Sequence, residues 1–479
     1  VNRRIFDRIR KRFGGDTESG VTMILMALLM VVMMGAAAMA VDLGWLYLNS
    51  IRTQQAADAA ALAGVVYMPD EFPTASSVAI AAATANEYVD GVNAVVTPAK
   101  VPGSDHQLQV TVDNNVPTFF MRVFGIDSVS LSREAVAEYV LPLPLGSPER
   151  RFGNDPQAGY MPNFWANIHG YYTGKGMGDL YSSHCLEWQD GPGCAQNPDA
   201  RNTGYIYGVE VPPGATSGPT IELYDPAFVR GGGDNILNGD NWQPGGDPGS
   251  TTEFTLYGPD PTPLDLSDNP IICQTQYAPR APHPPGTTLM TIPWETFCNS
   301  PDYGPGIYPL QIRVLAPSGN ERGLNRFSMR ASASGEQPRL YGLGDMSIYA
   351  NVNAGITEFY LAEVQEIHSG KTLIISLFDP GDASGNHNIS IVDPHGNVPA
   401  CDMTADGDAA GYSGHYSPCR IYTSDGRFND NKLTISIDLT GYTCSSDCWW
   451  KVRYSYPSST QDTTTWAVHI DGNPVRLVS

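Results

Sequence analysis

Basic side chains are scarce in this chain: 28 Lys and Arg stand against 50 Asp and Glu, a net charge of −22 over 479 residues. A body of that sign repels phosphate backbones. No basic, aromatic-interleaved patch lies beyond the N-terminus, so nucleic acid is excluded as a partner. Cysteine is missing from the first 184 positions, which confines any disulfide framework to the later part. His-Glu-x-x-His and Gly-x-Ser-x-Gly are both absent, and with them the commonest signatures of zinc and serine hydrolases. Glu358, Glu363 and Glu366 cannot form a same-face trio on a strand, because 358 and 363 differ by an odd number. The chain is not expected to be an enzyme.

The charge that is present is unevenly placed. Arg3, Arg4, Arg8, Arg10, Lys11 and Arg12 outnumber Asp7, Asp16 and Glu18, so residues 1–20 carry +3 and the rest −25. An uncharged run follows, Val21 to Val41, VTMILMALLMVVMMGAAAMAV. At about 1.5 Å per residue it spans roughly 31 Å, the thickness of a hydrocarbon core. A soluble core helix of this length would show a polar face, and a secretory signal would have a shorter apolar core. The run reads as a transmembrane helix whose partner is the lipid bilayer. The first charge after it is Asp42 and the first cation Arg52. The positive-inside rule then puts residues 1–20 in the cytoplasm and everything past about residue 42 outside.

The eight cysteines would all lie on that outer side. They fall as near neighbours: Cys185 and Cys194, Cys273 and Cys298, Cys401 and Cys419, Cys444 and Cys448. An even count in an oxidising compartment reads as four disulfides, though sequence alone does not fix the pairing. Zinc is the rival reading, but the Cys-x-x-x-Cys at 444–448 lacks a second ligand pair at finger-like spacing.

Beyond the apolar run the chain continues as DLGWLYLNSIRTQQAADAAALAGVVYM (42–68), with no proline, as one long helix. Its small residues Ala56, Ala57, Ala59, Ala60, Ala61, Ala63 and Gly64 permit close helix approach and are expected to pack against other membrane or pilus subunits. The segment 19–64 resembles the TadG-like proteins of Flp (Tad) pilus assembly. The resemblance is carried by Gly20 before the helix, Asp42 and Gly44 after it, and the run from Gln55 to Gly64. VPTFFMRVFGIDSVSLSREAVAEY (116–139) also looks like the segment that follows in these proteins. The resemblance implies a pilus-linked membrane protein. Two features depart from it. Counting from Gly20, the fifth residue is Leu25, where pilin-type precursors carry Glu. No Asp-x-Ser-x-Ser metal motif of a von Willebrand A domain is present: Asp265 and Asp382 both open runs that miss the second Ser.

Residues 71–141 read as a small α/β unit. Ala75 to Val89 is helical, LQVTVD (108–113) alternates as a strand, and 129–140 forms another. Phe119, Phe120, Val123 and Phe124 have helical spacing and are expected to fold back onto the strand. PLPLGSPERR (142–151) reads as a linker. An internal repeat comes next. YIYGVEVPPGATSGPTIELYDP (205–226) parallels FYLAEVQEIHSGKTLIISLFDP (359–380). YPLQIRV (308–314) with NRFSMRA (325–331) parallels WWKVRYS (449–455) with TWAVHID (465–471). Two tandem all-β, jelly-roll-like sandwiches fit this pattern, at 152–336 and 337–479.

Acidic, Gly-rich loops follow the Asp-Pro turns. Asp225, Asp234 and Asp240 in the first copy, and Asp379, Asp382, Asp402, Asp406 and Asp408 in the second, are candidate ligands for structural calcium, a hard cation that takes several oxygens. The spacing is not that of an EF-hand, whose terminal Glu is missing. Trp450 and Trp466 sit on repeat strands and should be core. Trp242, in the loop NGDNWQPGGDPG, is the candidate contact for a glycan. The resulting expectation is a membrane-anchored extracellular structural or assembly protein, linked to a Tad-type pilus or another surface filament or lattice. A surface adhesin or carbohydrate-binding protein on the same anchor is the alternative.

Overall fold

A computed structural model describes residues 17–479 except 69–71, 103, 105–106, 140, 186–195, 231–233, 235–239, 241–248, 260–261, 268, 316–320, 353–354, 381–387, 424–425, 472–474 and 479. The chain forms two compact units: residues 1–140 with 475–479, and residues 141–474.

The first unit begins with α1, Thr17–Val65, a single helix 49 residues long. Its apolar part is long enough to cross a membrane, and none of that part is buried by protein. A second helix, α2 (Phe72–Ala85), and the strands β1 (Ala94–Lys100), β2 (Gln107–Pro117) and β3 (Ser128–Tyr139) follow. The C-terminal strand Val475–Leu477 returns to pair with β3, completing a four-stranded antiparallel sheet. Strand β2 buries every second residue, Leu108, Val110 and Val112, as the alternation predicts. The upper half of α1 and the alanine face of α2 (Ala75, Ala79, Ala83) cover that side of the sheet.

The second unit is built from two large antiparallel sheets. Among the described residues, one has ten strands in the order Ile271–Tyr277, Thr251–Tyr257, Gly306–Leu315, Tyr205–Val211, Arg339–Leu343, Pro144–Leu145, Gly355–Glu363, Trp449–Tyr456, Asn388–Val392, Arg420–Tyr422. The other has eleven: Trp294–Asn299, Thr220–Tyr224, Leu324–Ser332, Phe164–His169, Asp345–Val352, Thr460–Ile470, Thr372–Phe378, Lys432–Asp438, Cys401–Ala405 and Gly414–Tyr416 in order, with Arg151–Phe152 added beside Leu324–Ser332. The repeat seen in the sequence is the repeat of this unit. Each copy supplies four strands to one sheet in matching order, and both Asp-Pro turns place their Asp at positive φ, 53° at Asp225 and 58° at Asp379. Asp tolerates that conformation better than most residues, which is why it stands there twice.

The boundaries expected at 152–336 and 337–479 do not divide this unit. One hydrophobic core runs without a break from Leu143 to Ile470. The segment read as a linker, 142–151, places Leu145 in the core. The two copies also exchange strands. Pro144–Leu145, which precedes the first copy, pairs with Gly355–Glu363 of the second (Leu145 with Ala362). Arg339–Leu343, which precedes the second copy, pairs with Tyr205–Val211 of the first. An edge strand left bare by one half is thereby covered by the other.

Candidate functional site

The acidic residues of the first Asp-Pro loop do converge. Asp225, Asp234 and Asp240 come from turns on the same end of the unit, and all three meet one side chain, Arg280. Its Nη2 lies 2.7 Å from Asp225, 2.5 Å from Asp234 and 3.2 Å from Asp240. Asp234 also accepts from the backbone N–H of His283 at 3.0 Å, with the imidazole Nδ1 3.1 Å from its other oxygen. Asp240 accepts from the backbone N–H of Arg326 at 2.6 Å. The guanidinium thus occupies the centre of the carboxylate cluster. Burial pushes the Asp225 carboxyl up to about 6, against the pull of Arg280. Burial drives Asp240 well above the ordinary range, aided by Asp225. Asp234 feels the same burial, but hydrogen bonds from Arg280 and His283 outweigh it and hold it below the ordinary value. Sequence reading missed Arg280 because it lies 40 residues past Asp240, on no motif; the bridge between Val229 and Arg280 brings it in.

The second copy does not gather its acids in the same way. Asp379 is buried and accepts from the backbone N–H of Asp430 at 2.7 Å. Asp406 accepts from the backbone N–H of Lys432 at 2.6 Å. Asp402 faces outward and meets His415 Nδ1 at 2.9 Å, and Asp408 is exposed. Asp379 and Asp406 hold backbone N–H groups, Asp402 meets a cross-strand histidine, and the four do not share a common centre. Asp382 and Trp242 lie outside the described residues. Trp450 and Trp466 are core residues.

Three disulfides join the described cysteines: Cys273–Cys298, Cys401–Cys419 and Cys444–Cys448. Cys185 is disulfide-bonded as well, and Cys194 lies outside the described residues. The placement of the first two follows the repeat. Cys273 and Cys298 sit on the edge strands of the two sheets at one end of the sandwich. At the other end Cys401, on the strand next to the edge of one sheet, is joined to Cys419, which directly precedes the edge strand Arg420–Tyr422 of the other.

The small residues of α1 have a different use from the one expected. Ala56, Ala57, Ala60, Ala61 and Gly64 are buried inside the first unit, while Ala59 and Ala63 are half-buried. A Cβ on Gly64 would lie 2.6 Å from the Ala75 carbonyl oxygen and 2.6 Å from the Leu108 side chain. The stretch lets α2 and β2 approach α1 and is therefore not free to receive a partner helix. What α1 presents instead is an apolar stripe at four-residue spacing, Leu43, Tyr47 and Ile51, with Leu48 beside it, all exposed.

The segment after β2 also departs from expectation. Phe119, Phe120, Val123 and Phe124 do not fold onto the strand; all four are exposed. The inner face of the sheet is already filled by α1 and α2, and the backbone of this loop is held elsewhere. The buried carboxylate of Asp42 accepts from the N–H groups of Phe119 and Phe120, both at 2.9 Å, and Met121 at 2.6 Å.

This helix, its Asp42 and its alanine run are what comparison with known proteins picks out. Residues 20–85 match the TadE/G-like Flp pilus-assembly family. The TadE/G-like match is confined to the first unit and ends with α2. Together with the long apolar helix it supports a membrane-anchored, pilus-related role. No curated protein matches the chain. One solved structure, the N-terminal CBM22-1-CBM22-2 tandem domain from Paenibacillus barcinonensis Xyn10C, is similar at 9% identity over 79% of this chain and 91% of that one. Its TM-score is 0.13, too low to carry an argument.

Proposed function

We propose that the chain is a structural or assembly protein of a Tad-type pilus or related surface filament, not an enzyme, held in the membrane by α1 with its β-rich unit outside. The carrying observation is the TadE/G-like helix itself: its apolar span is uncovered, and the exposed stripe Leu43, Tyr47, Leu48 and Ile51 prolongs that apolar surface past the span. Helices that present such a continuous face gain by packing against others in or beside the bilayer. Six cations before the span favour a cytoplasmic N-terminus. The disulfides favour an oxidising compartment for the β unit. The test is piliation. A strain lacking this chain should lose surface filaments under the electron microscope. The full chain should restore them, and a Leu43→Ser, Tyr47→Ser, Ile51→Ser triple variant should not. Unchanged filament numbers in the deletion strain would sink the proposal.

A second reading, glycan binding by the β unit, has one observation in its favour. A cavity of about 610 Å³ is lined by Tyr171, His184, Asn202, Gln276 and Arg313. The Tyr171 and His184 rings stack at 4.3 Å. The buried Glu253 fixes Arg313 at 2.6 Å and Gln276 at 2.8 Å. A ring platform beside pre-oriented donors suits a neutral sugar. Calorimetric titration with neutral oligosaccharides decides it: binding abolished by Tyr171→Ala supports the reading, and no heat at millimolar sugar ends it.

A further inference from the structure

The loop between β2 and β3 presents a cluster of exposed apolar side chains in the first unit outside the span. Phe119 and Phe120 are about half exposed, Val123 is 79% and Phe124 80% exposed, and Ile126 and Arg122 are exposed beside them. A short 3₁₀ turn, Met121–Phe124, closed by Gly125 at φ 83°, presents these side chains together. Such a set is unstable in water unless something covers it.

Its position says what covers it. Asp42 directly follows Val41, the last residue of the apolar run, and three hydrogen bonds tie the loop backbone to that carboxylate. The Phe119 ring lies 5.6 Å from that of Trp45, on the next turn of α1. The remainder of the unit lies farther along the helix. Arg133 on β3 meets Ser50 at 3.0 Å, Gln54 meets the Glu134 carbonyl at 2.9 Å, and Tyr88 meets Thr53 at 3.0 Å. The loop is therefore the end of the unit nearest the span, level with the point where α1 leaves the hydrocarbon.

We infer that the loop 119–126 inserts into the outer interface of the bilayer as a second, monotopic contact beside the transmembrane helix. Phe120, Val123 and Phe124 would enter the acyl boundary, and Arg122 would meet headgroup phosphates. Aromatic side chains and a flanking cation are the chemistry that this layer retains. Asp42 acts as the tether. Its charge is spent on three backbone donors, so it does not have to be solvated at the membrane surface. The structure offers a reason for an acid at the end of an apolar helix: without it the loop would not be fixed at the interface.

This inference rests on the membrane-anchored reading, and its test separates the two. The full chain is reconstituted in phosphatidylcholine–phosphatidylglycerol vesicles with the photo-crosslinker p-benzoylphenylalanine at one exposed position: Met30 in the span, Phe124 in the loop, or Tyr67 in the turn just past the far end of α1. All three are surface positions, so folding is not at stake. Lipid adducts at 30 and 124, severalfold above 67, are the expected result. Lipid adducts at 30 with none, or only protein adducts, at 124 would overturn the loop insertion and leave the anchor standing. No lipid adduct at 30 would overturn both. Equal lipid adducts at all three positions would also defeat the proposal, since the contact would not belong to the loop.

Discussion

At the scale of single residues, the buried acids of the β unit carry most of the testable chemistry. Arg280 is the shared cationic partner of Asp225, Asp234 and Asp240, and removing it from a buried cluster leaves the acids uncompensated. Arg280→Met should cost about 3–5 kcal/mol of unfolding free energy at neutral pH, read from the denaturant midpoint. Asp345 offers a cleaner pH signature. Burial pushes its carboxyl up to about 6 although Arg201 lies 2.7 Å away. Its folded value is above its ordinary 3.8, so between the two the folded state holds more protons and stability rises as pH falls through 6. Buried His169, held well below its ordinary value, acts in the opposite sense below pH 6.5. Comparison with Asp345→Asn cancels that contribution. The wild type should gain about 1 kcal/mol on the variant between pH 7 and pH 5. A gap that does not change with pH would show that Asp345 does not titrate there.

At the scale of elements, much was legible and some was not. Residues 108–113 show their alternation without ambiguity, and the strands of the repeat lie within the matching segments, the two strands of each segment going to different sheets. The apolar run was equally plain. Two elements misled for a shared reason. The alanines of α1 and the phenylalanines after β2 both have helical spacing, but spacing does not say which surface is already occupied. Ala75, Ala79 and Leu108 take up the alanine face, and nothing remains on the sheet for Phe124. The Arg280 cluster escaped because its cation reaches the acids through strand pairing, not through sequence proximity. The disulfides at the sheet edges make their own prediction. Cys273 and Cys298 close a separation of 25 residues, so the Cys273→Ser, Cys298→Ser double variant should lose about 3 kcal/mol of stability. A thermal midpoint equal to that of the oxidised wild type would contradict the staple.

At the scale of the whole molecule, the consequential finding is that the two copies of the repeat share one core and exchange strands. Each half donates its leading strand to the other, Pro144–Leu145 in one direction and Arg339–Leu343 in the reverse. Sequence periodicity shows that strands exist but not which copy they pair with, so the exchange across the boundary near 336 is not legible in it. Residues 142–336 or 337–474 expressed alone should fail to give a cooperative unfolding transition, whereas 141–474 should give a single one. A soluble, cooperatively folding half would show the exchange to be dispensable. The central claim, a chain anchored by α1 with its β unit outside the cytoplasm, is tested most directly by adding protease to intact spheroplasts. The account predicts that the β unit is digested from outside, while a fragment containing residues 17–41 stays in the membrane through an alkaline carbonate wash. A chain protected until the cells are lysed, or released whole by carbonate, would contradict it.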